Sequence, residues 1–161
     1  MFRWIEYLDN AGNISAMFAK KEFQEQVTAH CRPVQVELHF PANGASHEIM
    51  PFINQLKDVR ESISLELRNQ MEISILLAVL YKCIGNTKAG LEEMGNALDY
   101  LNILIETKRR SLNRLTNIQT MAPQGSPVFD ERISALLKEK KVLEEKRGSG
   151  FNFIKLTTTS A

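Results

Sequence analysis

The densest concentration of potential metal ligands in the sequence is His30, Cys31, His39, His47 and Glu48, five residues within a stretch of 19. Imidazole, thiolate and carboxylate are the groups that hold zinc, and a site needs three or four of them converging on one point. The spacings match none of the short ligand pairs that such sites use. Cys31 falls on an apolar stripe, and His39 alternates onto the polar side of its segment. Cys31 reads as a small core residue, and no metal ligand is assigned.

Three further patterns bear on catalysis. Gly85-Asn86-Thr87-Lys88-Ala89-Gly90 has the two glycines of a phosphate-cradling loop, but Leu91 and Glu92 stand where a lysine and a hydroxyl would have to follow the second glycine, so it reads as a turn between helices. Gly148-Ser149-Gly150 contains a hydroxyl between glycines, yet nothing around it supplies the strained strand-to-helix elbow that exposes a nucleophilic serine. The pairs Glu92-Glu93 and Glu144-Glu145 are adjacent in sequence, so on a helix their side chains diverge by about 100° and suit solvated faces better than paired acid and base work. No catalytic, cofactor-binding or metal-binding residue is assigned, no cofactor is expected, and the chain is expected not to be an enzyme.

The sharpest charge feature is Lys108-Arg109-Arg110 with Arg114. Arg110 and Arg114 lie four apart and form one basic ridge on a helix, so Arg109, Arg110 and Arg114 are the candidate phosphate contacts. The ridge has no interleaved aromatics, and the whole chain carries 20 Lys and Arg against 19 Asp and Glu, a net charge of +1. With no global field behind it, the ridge reads first as a source of salt bridges and second as a nucleic-acid contact.

Composition bounds the fold. A chain of 161 residues, 43% apolar and 24% charged, is long enough to bury a core without disulfides or metals. Cys31 and Cys83 follow no paired spacing, which points to a reducing compartment such as the cytoplasm. The most apolar stretch, Met71 to Ile84, contains Glu72 and Lys82 and is shorter than the ~20 residues a membrane-spanning helix needs.

These constraints and the hydrophobic periodicity predict a predominantly helical α+β fold. Residues 1–46 are expected to form a small β-containing unit: a hairpin around the Asp9-Asn10-Ala11-Gly12-Asn13 turn, a short helix carrying Phe23, Val27 and Cys31, and a strand in which Val34, Val36, Leu38 and Phe40 alternate with polar residues. Residues 47–120 predict a long helical hairpin, one helix from about 48 to 84 and the second from 87 to 120, joined at Gly85-Asn86. Ser46 is a plausible cap, and Pro51 is tolerated if it falls in the first turn. Residues 121–129 read as a linker, 130–148 as a third helix starting at Asp130, and 149–161 as a strand or docking tail.

The expected seam of the hairpin takes Leu56, Ile63, Leu67, Met71 and Ile75 from the first helix. From the second it takes Leu91, Met94, Leu98, Leu101, Ile105, Leu112 and Leu115, spaced as in a coiled coil and interrupted by Lys108. Pairing about residue 86 puts Leu101 opposite Met71 and Ile105 opposite Leu67, and brings Lys108 within reach of Glu61 or Glu66. Helices this long expose flanks that one small sheet cannot cover, and Leu136, Leu137, Leu143, Phe151 and Phe153 are the candidate partner surface. The functional expectation is an adaptor or assembly protein that binds a protein partner or itself, as a homodimer, with nucleic acid as the less favoured partner.

Overall fold

The computed structural model describes residues 18, 20–41, 46–118 and 127–148; the side chains of 46, 47, 114–118 and 127–130 are left out of the description. Five helices make up this region: α1 Lys21–Cys31, α2 Ser46–Arg60, α3 Leu67–Cys83, α4 Thr87–Ile118 and α5 Pro127–Gly148. The helical part of the predicted fold is present, and α3 and α4 pack antiparallel along the longest contact in the molecule. No strand occurs among the described residues, so a β-containing unit is not seen there. Of the expected hairpin, residues 2–19, only Phe18 is described and it is not in a strand; the rest of it and the segment 149–161, with Phe151 and Phe153, lie outside the described residues.

The short helix is where its spacing put it, with Phe23, Val27 and Cys31 buried along one face of α1. Pro33 then sits in a single 3-10 turn, Arg32–Val34, closed by Gln35 in the left-handed region at φ 55°. The alternating segment after it is not a strand. Its backbone is held by one side chain: the Gln55 amide donates to the Glu37 carbonyl and accepts from the His39 N–H at 3.1 Å, as a neighbouring strand would. Leu38 and Phe40 pack on the core, while Val36 is exposed. Alternation recorded the two sides of an extended segment, and a glutamine took the place of the partner strand that defines a sheet.

Aromatic rings tie this end together. Phe18 meets Phe23 and Phe52 edge to face at centroid distances of 5.4 and 5.5 Å, and Phe40 lies 5.1 Å from Phe52. Phe52 belongs to α2, whose buried stripe is Ile49, Phe52, Ile53, Leu56 and Val59. Pro51 is the sixth residue of α2, past the first turn, and its ring is on the exposed side.

The single helix expected from 48 to 84 is two helices. Between them, Ser62 N–H donates to the Val59 carbonyl, Leu65 N–H to the Ser62 carbonyl, and Ser64 N–H to Ser62 Oγ. Serine hydroxyls compete with the helical ladder in this way, and Ser62 and Ser64 flank a β-branched residue that favours helix little. Ile63 is the casualty: it is fully exposed at 102%, not in any seam, and Leu65 is the residue buried there instead. Glu61 pairs with Arg60 at 3.1 Å, so it is not the partner of Lys108 that a continuous helix implied.

From Ile73 to Lys82 every residue of α3 is buried, so this helix is enclosed on all sides by its neighbours. It ends at Gly85, φ 80°, where Asn86 N–H donates to the Tyr81 carbonyl and Gly85 N–H to the Lys82 carbonyl. These are the two bonds of a glycine-terminated helix end. Asn86 Oδ1 then caps α4 by accepting from Ala89 N–H at 3.2 Å. The Gly85 to Gly90 segment is thus the helix-to-helix turn.

The third predicted helix exists but starts at Pro127, three residues before Asp130. It returns along α4, with the Arg147 guanidinium lying over Gly95, where an added Cβ would come within 3.1 Å of Nη2. Leu143 is fully buried and Glu139 is buried, so α5 is part of the bundle at its C-terminal half.

Candidate interaction surface

Two features of the bundle are candidates for function: a polar cavity where α2, α3 and α4 converge, and the end of the bundle where α4 and α5 run on without α3.

The cavity, about 250 Å³, is lined by Lys57, Asp58, Arg60, Glu61, Tyr81, Ala89, Glu92, Glu93 and Asn96. Arg60 ends α2 and reaches across the helix junction. Its Nη1 donates to Glu93 Oε1 on α4 and, at 3.2 Å, to Ser74 Oγ on α3, while Nε donates to Glu61. Asn96 Nδ2 donates to the same Glu93 oxygen at 2.6 Å, and Gln70 Nε2 donates to the Arg60 carbonyl at 2.8 Å. The two side chains are only 9% and 4% exposed. Burial works against the Arg60 charge, but the hydrogen bond and charge of Glu93 outweigh it and hold the guanidinium pKa above its ordinary value. Tyr100, near this pair, is raised by burial. Among the described residues Glu93 Oε2 is buried and finds no hydrogen-bond partner. At the mouth, Lys57 Nζ sits 5.2 Å from the centre of the Tyr81 ring.

Sequence reasoning assigned Glu93 to a solvated face and missed this centre. The signal available was that Gly90, Glu93 and Ala97 fall on the flank of the Met94 to Leu101 stripe, where an acid needs a buried cation. Nothing in the sequence pointed to Arg60 as that cation. Three helices are pinned by one guanidinium and one carboxylate.

The other candidate ligands are dispersed. His30 Nδ1 lies 2.8 Å from the Gln26 carbonyl and Nε2 3.0 Å from Glu72 Oε2, linking α1 to α3. Cys31 faces the core, and His39 is exposed. Among the described residues no group of three His, Cys, Asp or Glu is placed to hold a metal ion, and no helix is long and apolar enough to cross a membrane. A groove of about 600 Å³ between the 34–39 segment and α2 is lined by Val34, Val36, His39, Pro51, Asn54, Gln55, Asp58 and Val59.

At the far end, helix lengths make the surface. α3 has 17 residues and α4 has 32, so from their shared turn α4 outruns α3 by about 15 residues, about 22 Å. Met71, Ile75, Met94, Leu98, Leu101 and Ile105 are buried where the helices overlap, as is Leu56 on α2; Leu67 and Leu91 are half-buried. Beyond Ile105 the picture changes. From Glu106 to Asn113 no residue of α4 is buried, and from Glu131 to Lys138 none of α5 is, although Leu112, Ile133 and Leu136 are half-buried. Leu137 is 40% and Ile103 49% exposed. Leu115 and Arg114 belong to α4, but their side chains are outside the description.

This two-helix arm also separates charge. Residues 106–138 carry six Lys and Arg against three Asp and Glu, whereas residues 1–105 and 139–148 together carry thirteen against sixteen. Arg109 and Arg110 are exposed on the arm, Arg110 in a loose pair with Glu106 at 3.4 Å. The root of the arm is fixed by Arg68 of α3, which grips Glu139 of α5 through two bonds of 2.7 Å. The Glu139 hydrogen bonds outweigh burial and hold the Arg68 pKa above its ordinary value. No protein-family model matches the sequence, and comparison with characterised proteins and with solved structures returned no match.

Proposed function

We propose that this chain is a non-enzymatic assembly protein that associates with protein partners, itself included, through the arm formed by α4 and α5. The observation that carries the reading is the absence of any buried residue from Glu106 to Asn113 and from Glu131 to Lys138, on two helices that still carry the half-buried apolar residues Leu112, Ile133 and Leu136. A helix pair of this length with a half-covered apolar seam gains by adding a third or fourth helix, which is how amphipathic helices recognise one another. The free thiols Cys31 and Cys83 support a reducing compartment such as the cytoplasm.

Light scattering of the full chain tests this: the mass is expected to be a multiple of one chain, and to fall when the exposed Leu137 of the arm is changed to Asp. A monomer that captures no partner through the arm contradicts it.

A second reading has its own support in the segregation of charge, since a basic arm on an acidic body suits a polyanion. It expects DNA or RNA binding that weakens steeply with salt and with Arg109→Ala, Arg110→Ala and Arg114→Ala together. Binding that ignores those changes disposes of it.

A further inference from the structure

We propose that the outward face of α4 pairs with the same face of a second copy, antiparallel, about a two-fold axis passing at Ile103. This rests on the reading of the chain as a self-associating assembly protein and adds a contact on the outward face of α4, which reaches the arm at Arg110.

Spacing defines the face. Glu92, Asp99, Ile103 and Arg110 are separated by seven, four and seven residues, close to two, one and two turns, so they fall on one stripe. All four are exposed, and at 49% Ile103 is the most exposed large apolar side chain within a helix among the described residues. A lone exposed isoleucine needs no explanation. Here, however, it lies between charges of opposite sign.

Toward the start of α4 the stripe carries Glu92 and Asp99, two acids against the exposed Lys88 one turn before them, and Glu92 lines the polar cavity with Asp58, Glu61 and Lys57. Toward the end it is basic, with Arg110 and, one turn on, Arg114. Such a face repels a parallel copy and attracts an antiparallel one. With the axis at Ile103, positions equidistant from it meet: 99 with 107, 96 with 110, and 92 with 114. Arg110 of the second copy then lies across from Asn96, with Glu92 and Asp99 each about one turn away, and Ile103 meets its own symmetry mate. An interface repeated on both subunits in this way is the ordinary form of a two-fold dimer. The antiparallel arrangement also sets each helix N-terminus beside the C-terminal part of its neighbour, which suits the helix dipoles. Among the described residues Arg110 pairs with the exposed Glu106, a weak pair that an intermolecular carboxylate can replace.

The axis position makes the proposal testable by cross-linking. At an interaxial distance of 8–10 Å, helices of about 2.3 Å backbone radius leave facing Cα atoms roughly 4–5 Å apart, near the range a disulfide spans. Ile103→Cys in the full chain is therefore expected to form an interchain disulfide under mild oxidation. Thr107→Cys alone is expected not to, yet to cross-link when mixed with Asp99→Cys. Cys31 and Cys83, one buried and one half-buried, serve as silent background.

A second arm uses charge. Arg110→Glu with Arg114→Glu is expected to leave a monomer in sedimentation at low salt, and adding Glu92→Arg with Asp99→Arg in the same chain is expected to restore the dimer. All these positions except 114 are exposed on the helix surface, and circular dichroism checks each fold. A wild-type dimer in which Ile103→Cys fails to cross-link, or in which the charge swap restores nothing, overturns this face while leaving the assembly reading intact. A wild-type chain that is monomeric at low salt and high concentration overturns the self-pairing itself.

Discussion

Arg60 and Glu93 show what a buried charge does in a bundle this small. Each is nearly enclosed; besides each other, Arg60 meets the Ser74 hydroxyl of α3 and the exposed Glu61, and Glu93 meets Asn96 of its own helix. Breaking a buried pair leaves an uncompensated charge, so Arg60→Ala or Glu93→Ala is expected to cost ~3–5 kcal/mol in urea unfolding. Replacing both with apolar residues of similar size, Arg60→Met with Glu93→Leu, is expected to recover most of that loss. A double variant as unstable as the sum of the singles would show that the pair stabilises rather than specifies. The thiols make a second test at this scale. Burial pushes Cys31 from 9.0 up to about 12 and Cys83, in spite of Lys82 nearby, up to about 11. Both are therefore expected to label with a thiolate-selective reagent at pH 8 only after unfolding. Because the folded pKa lies above the unfolded one, their contribution to stability is complete below about pH 9 and is lost as pH rises toward 12. Cys31→Ala should flatten that alkaline decline.

Among the helices, legibility in the sequence followed the strength of the periodic signal. The α3–α4 turn was readable because glycine and asparagine there perform a backbone function no other residues do as well, and α1 because Phe23, Val27 and Cys31 leave one face only. The break between α2 and α3 was not readable. Ile63 continues the apolar spacing from Leu56, and only the serine hydrogen bonds at Ser62 and Ser64 decide that the helix stops. The 34–40 segment failed for a related reason: alternation reports an extended chain, and whether a strand or a glutamine satisfies its backbone is a tertiary outcome.

Substitutions should reflect this. Ile63→Ser is expected to change stability by no more than ~0.5 kcal/mol, against ~2–5 for Met71→Ala or Leu143→Ala, each at 0% exposure. Gly95→Ala displaces only the tip of the exposed Arg147 side chain, so the helix propensity gain should prevail, by up to about 1 kcal/mol. The Arg68–Glu139 grip is asymmetric, at 35% and 8% exposure. Arg68→Ala strands a buried carboxylate and should therefore cost more in thermal unfolding than Glu139→Ala, which leaves a guanidinium that water can reach.

At the scale of the whole molecule, an acidic body of packed helices carries a basic two-helix arm. The sequence showed the basic ridge at Arg109, Arg110 and Arg114 and the amphipathic stripe of α4, but it could not show where α3 stops covering that stripe, because that depends on where α2 ends and α3 begins. With the boundary fixed, the exposed face of α4 runs from acid through Ile103 to base, and an arrangement with that order is complementary to itself.

The most direct measurement is sedimentation equilibrium of the full chain at about 0.05 M and about 0.5 M salt, where the screening length falls from about 14 to about 4 Å. The account predicts a dimer that dissociates as salt rises, and a monomer at both salts for Ile103→Asp. A mass that stays at one chain throughout, or a dimer indifferent to both salt and Ile103→Asp, would contradict it.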